Sequence, residues 1–204
     1  MNWDVSLFHA INGLAGRSFV ADWTMLALAR PTSLLVPGAL AFGYWLWVNR
    51  REALIGTTGL ACLILLGDQL GAQVKQLVGR VRPCHLLSGV HQLVGCGGTF
   101  SFPSNHALNT AAAAAFAQVL YPVTGWVTWP LVAVIGFSRV YVGGHYVTDV
   151  LGGWVLGGLL GAGAALLLIR WSLFRPTHRT VGHRGQAGKS AVDQGDVGAN
   201  SKKY

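Results

Sequence analysis

From Cys84 to Ser138 the chain contains no Asp, Glu, Lys or Arg. A helix on the surface of a water-soluble domain needs a polar, usually charged, face, and a stretch this long without charge cannot supply one. Two further apolar runs, Pro31–Asn49 and Val150–Ile169, lie on either side of it. A helix of about 20 apolar residues is long enough to cross the hydrocarbon core of a bilayer. Composition agrees: 52% of the residues are hydrophobic and 11% charged, against about 25% charged in an ordinary soluble domain, and the mean hydropathy is +0.45. These values exclude disorder for the bulk of the chain and argue against a soluble globule. The expected fold class is all-α, a multi-pass transmembrane helical bundle of about five or six spans with N-terminal amphipathic helices.

The net charge of +8 does not point to nucleic acid once its placement is considered. Arg50 and Arg51 sit between two apolar segments, and Arg170, Arg175, Arg179, Arg184, Lys189, Lys202 and Lys203 follow the last one. Lys and Arg flanking spans mark the cytoplasmic side. The expected spans are Thr32–Val48, Ala53–Leu77, Ser104–Leu120, Trp126–Val142 and His145–Ile169, with Trp45, Trp47, Trp126, Trp129 and Trp171 near their ends. Placing Arg50 and Arg51 inside puts Lys75 and the 78–103 loop outside and the C-terminal tail inside, so both basic clusters fall on one side. The expected location is the cell (inner) membrane, with the polar loops extracytoplasmic. Residues 1–30 carry Val5, Phe8, Ile11 and Leu14, then Phe19, Trp23 and Leu26, at helical spacing. With Asp4, Arg17, Asp22 and Arg30 among them, they read as amphipathic interfacial helices; a short span over Phe19–Ala29 is the alternative. No cleavable signal peptide is expected. Residues 31–174 form the expected transmembrane core, and 175–204, Gly- and Ser-rich without apolar period, a disordered cytoplasmic tail. Cys62 reads as a small core residue, and Cys84 and Cys96 share an outer loop where an oxidising compartment would allow a disulfide. Gly153, Gly157 and Gly161 recur every fourth residue, a pattern for close helix packing within the bundle rather than a dimer face.

Charged residues at membrane depth are costly and mark function. Three segments carry them to the same expected face: Lys75 to Pro83, Pro103 to His106, and Ser138 to Asp149. Lys75, Arg82 and Arg139 supply fixed cations, two of them able to grip an oxyanion bidentately. Taken singly each could be a snorkelling interfacial residue. Ser104 and the amides of Asn105 and His106 open a helix, a ready site for a phosphoryl group. His145 begins the last expected span, with Asp149 one turn further on the same helical face. A carboxylate so placed holds one imidazole nitrogen protonated and leaves the other free to attack. His106, on another helix, is available to protonate a leaving alkoxide.

These segments resemble the signature of the type 2 phosphatidic acid phosphatase (PAP2) superfamily: KxxxxxxRP, PSGH and SRxxxxxHxxxD. Lys75, Arg82, Pro83, Pro103, Ser104, His106, Ser138, Arg139, His145 and Asp149 match in order and internal spacing; Asn105 stands where the family usually has Gly. The resemblance implies a phosphohistidine on His145, oriented by Asp149, with His106 as proton donor. Lys75, Arg82, Ser104, the Asn105 amide and Arg139 would hold the phosphoryl oxygens. It implies no cofactor and no metal, an amphiphilic lipid phosphate as partner, and undecaprenyl diphosphate ahead of phosphatidate, phosphatidylglycerophosphate or lipid A as substrate. A non-catalytic bundle that binds or transports anionic lipid is the competing class; the histidine pair, which binding alone does not require, argues against it. Asp68 is open between a buried structural partner and a tuner of the site, and Arg80 between a lipid head group and water. His85 and His91 read as loop residues, and Asn109 and Thr110 as interhelical hydrogen-bonders.

Overall fold

The structure, a computed structural model, describes residues 3–171. Its helices are α1 (Trp3–Asn12), α2 (Phe19–Ala29), α3 (Leu35–Val48), α4 (Arg50–Val78), α5 (Pro83–Leu86), α6 (Asn105–Leu120), α7 (Gly125–Tyr141) and α8 (Val147–Arg170). Short 3₁₀ turns at Pro31–Leu34 and Pro122–Thr124 lead into α3 and α7. Among the described residues the extended pairing is a single antiparallel bridge, Val81 with Phe100. The expected tail over 175–204 lies outside the described residues.

The bundle is built around α6 against α8, and small side chains explain why. Ala107, Ala111, Ala112, Ala114 and Ala115 of α6 are buried, as are Gly153, Gly157 and Gly161 of α8. A Cβ at Gly153 would lie 2.8 Å from the Ser104 carbonyl oxygen, and one at Gly157 or Gly161 would collide with the carbonyl of Leu108 or Ala112. Every fourth residue of α8 thus touches every fourth carbonyl of α6, and the backbones themselves are the contact surface. The glycine stripe packs inside the bundle, as its spacing suggested. Around this seam Leu63, Phe116, Leu120 and Ala165 close an apolar cluster. Large apolar side chains such as Trp47, Leu65, Leu66, Trp126, Leu159 and Leu167 point outward, the arrangement expected where lipid is the solvent. Three helical stretches are long and apolar enough to cross a membrane: Arg50–Val78, Pro122–Tyr141 and Val147–Arg170. α6, with 16 residues, and α3, with 14, are shorter.

Two expectations change. The last helix starts at Val147 with Tyr146 as its N-cap, so His145 precedes the helix instead of opening it. The cause is the turn at Gly143, whose φ of +85° an L side chain rarely adopts. Cys62 is exposed on the outer face of α4, not in the core.

The N-terminal helices differ: α1 packs Val5, Phe8 and Ile11 against the core, whereas α2 leaves Phe19, Val20 and Trp23 exposed. α1 packs against α7 and α8, and α2 against α7; the residues of α1 turned inward are Asp4, Phe8 and Asn12, with Trp3 and Leu7 exposed. Asn12 uses its whole amide: Nδ2 donates to the carbonyls of His91 (2.9 Å) and Tyr141 (2.8 Å), and Oδ1 accepts from the His91 amide (2.9 Å). That side chain pins the loop after α5 to the end of α7. Cys84 and Cys96 are joined by a disulfide, Cα–Cα 6.0 Å, which closes the same loop.

Candidate active site

Each of the three charged segments lies at a helix end: the C-terminus of α4, the N-terminus of α6, and the turn from α7 into α8. α4 stops at Gly79 (φ +62°), whose amide donates to the Lys75 carbonyl. The chain then turns back through Arg80 and Arg82 and is fastened to the loop before α6 by Arg82 N to Thr99 O (3.0 Å) and Ser101 N to Arg80 O (2.7 Å). α6 begins against the first turn of α8, Ser104 N donating to the Asp149 carbonyl at 3.0 Å. Arg139 stands in the last turn of α7.

The side chains meet. Arg82 Nη1 donates to the Gly144 carbonyl (3.1 Å) and lies 3.2 Å from His145 Nε2. With Arg82 as donor, Nε2 carries the lone pair and Nδ1 the proton, which faces Asp149 Oδ2 at 3.6 Å. That gap is longer than a hydrogen bond, and catalytic contacts commonly tighten only with substrate bound. Burial depresses the His145 pKa to about 4; the Asp149 carboxylate opposes this, and the Arg82 and Arg139 charges add to it. Its imidazole is therefore neutral at pH 7. Burial likewise lowers the Arg82 pKa, with Asp149 opposing; a guanidinium so shifted remains a cation. His106 lies in the field of Arg139, Arg82 and Lys75.

Ser104 occupies the N-cap position of α6, where a Ser hydroxyl ordinarily bonds its own helix, yet it makes no such bond. Its Oγ is one of a set: Arg82 Nε, His106 Nε2 and Arg139 Nε are also buried without a hydrogen-bond partner among the described residues. Buried polar atoms are nearly always paired, so unpaired polar groups from α6, α7 and the turn after α4, beside one another, describe a receptor for an anion. A cavity of about 270 Å³ adjoins it, with Lys75, Gln76, Arg82 and Thr99 on its wall.

The side chain of Asn105 turns away from this cradle. Its Oδ1 accepts from Lys75 Nζ (2.7 Å) and its Nδ2 donates to Asp68 Oδ1 (3.1 Å), which also accepts from Asn109 Nδ2 (2.9 Å). Lys75 Nζ donates to the Pro103 carbonyl as well. Gly71 provides the room: a Cβ there would lie 2.9 Å from Asn105 Oδ1. Asp68 thus holds the two asparagines of α6. Thr110, expected to bond between helices, instead donates to His106 O within its own helix (2.7 Å).

Arg80 is the residue that sequence reasoning missed. Its guanidinium is engaged within the protein: Nη1 donates to Asp149 Oδ1 (2.8 Å) and Nη2 to Asp4 Oδ2 (2.6 Å). Arg139 also reaches the N-terminal helices, Nη1 donating to the Ala29 carbonyl at 2.8 Å. Cys84, His85 and Cys96 lie close enough together to suggest a metal site, but the disulfide occupies both sulfurs.

Comparison with known proteins agrees with this geometry. Residues 53–175 match the model of the PAP2 superfamily. Undecaprenyl-diphosphatase BcrC of Bacillus subtilis is 31% identical over 184 residues, 86% of this chain and 87% of that protein. Lipid A 4'-phosphatase of Porphyromonas gingivalis is 28% identical over 165 residues, 76% of this chain and 69% of that one. The crystal structure of a transmembrane PAP2-type phosphatidylglycerolphosphate phosphatase from Bacillus subtilis superposes with a TM-score of 0.64 at 26% identity, covering 86% of this chain and 90% of that one. A bundle of apolar helices that gathers the PAP2 signature residues into one anion cradle, in a chain matched by the family model over most of its length, belongs to the PAP2 superfamily of membrane lipid phosphatases.

Proposed function

We infer that the protein removes the terminal phosphate of a polyprenyl diphosphate, undecaprenyl diphosphate in the first place, at the extracytoplasmic face of the membrane. His145 Nε2 attacks phosphorus, and the bond from phosphorus to the leaving oxygen breaks as His106 delivers a proton to that oxygen. The phosphohistidine is then opened by water, which gives up its proton to His106; inorganic phosphate leaves and His145 is regenerated. Asp149 orients His145 through Nδ1. Lys75, Arg82, Ser104, Arg139 and the Asn105 amide hold the phosphoryl oxygens. Most of what phosphoryl transfer requires is such positioning and charge stabilisation.

The observation that carries this reading is the set of unpaired buried polar groups beside a neutral His145 whose lone pair faces the same space. Basic residues at Arg50, Arg51 and beyond Ile169 favour an outward-facing site, and a disulfide in the adjoining loop suits an oxidising compartment. The diphosphate is preferred because the relative named for it matches most of both chains. The test is phosphate release by detergent-purified protein from undecaprenyl diphosphate, phosphatidylglycerophosphate, phosphatidate and lipid A. The expected result is the highest kcat/KM on the diphosphate, lost in His145→Ala. Preference for one of the other lipids would replace the substrate; equal release by His145→Ala would remove the mechanism.

A further inference from the structure

Asp149 is fully buried, so hydrogen bonds from the protein must replace the water its carboxylate has given up. His145 Nδ1, at 3.6 Å, is too far away to supply one. The groups that do are the Tyr146 amide, 2.8 Å from Oδ2, and Arg80 Nη1, 2.8 Å from Oδ1. Arg80 comes from the turn after α4 and its side chain is 26% exposed. Besides its bonds to Asp149 and the Thr148 hydroxyl, two further contacts hold it. Its guanidinium lies 3.9 Å over the Tyr146 ring, and Nη2 is bonded to Asp4.

Asp4 does more than anchor Arg80. Its Oδ1 accepts from the Thr148 amide (3.2 Å) and its Oδ2 from the Thr148 hydroxyl (2.6 Å), which in turn accepts from Arg80 Nη1 (2.5 Å). A carboxylate from α1 therefore caps the first turn of α8, the turn that carries Asp149, where negative charge complements the helix dipole. Burial pushes the Asp4 pKa up, but hydrogen bonds from Arg80 and Thr148 outweigh it and hold the carboxyl below its usual range. Asp4 is accordingly an anion at neutral pH. It lies outside residues 53–175, the region matched by the family model.

We propose that Asp4 and Arg80 are positioning residues for the reaction: the chain Asp4–Arg80–Asp149 fixes in place the carboxylate that orients His145, making α1 a working part of the site. The inference rests on the assignment of His145 as nucleophile. Asp4 and Arg80 touch no reacting atom, so their effect should fall on kcat and leave substrate binding by Lys75, Arg82 and Arg139 alone.

The experiment measures phosphate release from farnesyl diphosphate by the full chain in detergent micelles. Asp4→Asn, which keeps the shape and removes the charge, should lower kcat about fivefold with KM little changed, the size expected for a coupling between neighbouring polar groups. Arg80→Met should lower it further, with Arg80→Lys recovering part of the loss. In an Asp149→Asn background, Asp4→Asn should cause no additional loss, because the group it acts through is gone. An equal fivefold loss in both backgrounds, or a lowered melting temperature with unchanged kcat, would make Asp4 a purely structural residue and overturn the proposal. Release that depends on His145 but is indifferent to Asp4→Asn would overturn this inference alone. Equal release by wild type and His145→Ala would overturn the nucleophile assignment and this inference with it.

Discussion

Helix α8 is held in two different ways along its length. Its body, through Gly153, Gly157 and Gly161, rests on α6 with backbone against backbone and no polar bond between side chains. Its first turn is held by charge: Asp149 and Thr148 face Arg80 and Asp4, and the Tyr146 amide closes on Asp149. Close packing is unforgiving of volume and indifferent to ionisation, whereas the polar end tolerates volume better than loss of a partner. A rigid body thus presents a polar first turn whose hydrogen bonds, not its packing, set the geometry around His145.

Substitutions at the two ends should therefore fail in different currencies. At the polar end, His145→Ala should reduce phosphate release about a thousandfold or more, as loss of a nucleophile generally does, with the melting temperature near that of wild type. At the packed end, Gly157→Leu would drive a side chain into the Leu108 carbonyl. It should cost about 3 kcal/mol of stability, at the upper end of overpacking effects, seen as earlier thermal aggregation in detergent; the fraction that remains folded should keep its kcat. A protein that loses kcat but not stability at Gly157 would erase the distinction.

Between the two ends lies Lys75, tethered by Asn105. Asn105→Gly should release the ammonium and raise KM about threefold, the order of one hydrogen bond, with kcat little affected. The smallest expected effect is one of pH. The attacking form of His145 is the free base, and burial, reinforced by Arg82 and Arg139, holds its pKa down to about 4. Activity should then persist into mild acid, with no loss of kcat/KM between pH 7 and 5.5, where an ordinary imidazole of pKa about 6.5 would become mostly protonated. An acid limb centred near pH 6.5 would contradict that environment for His145.

The long helices were legible because lipid exposure leaves a simple record: α4, α6, α7 and α8 start and end within a few residues of the apolar runs that predicted them. That Lys75, Arg82, Ser104, His106, Arg139 and His145 would lie near one another was legible because their residue types and spacings repeat a known signature. Arg80 with Asp4 was not. Their partnership spans 76 positions in the chain and has no period or motif to announce it. α1 turns its apolar side inward as its spacing suggested, but Asp4 and Asn12 lie on that side with Phe8, so a reading that assigns every polar residue of such a helix to water misplaces them. The four-residue spacing Asp4, Phe8, Asn12 was the available signal. Asn105 shows the same limit. It stands where the family signature has Gly, and nothing in its position announces that its side chain is taken up by Lys75 and Asp68, on the neighbouring helix.

The most direct measurement is to quench turnover of a substrate carrying ³²P in its terminal phosphate and map the label. The account expects an acid-labile, base-stable phosphoenzyme whose label resides on His145 and disappears in His145→Ala. Label on another residue, or undiminished phosphate release by His145→Ala, would contradict it.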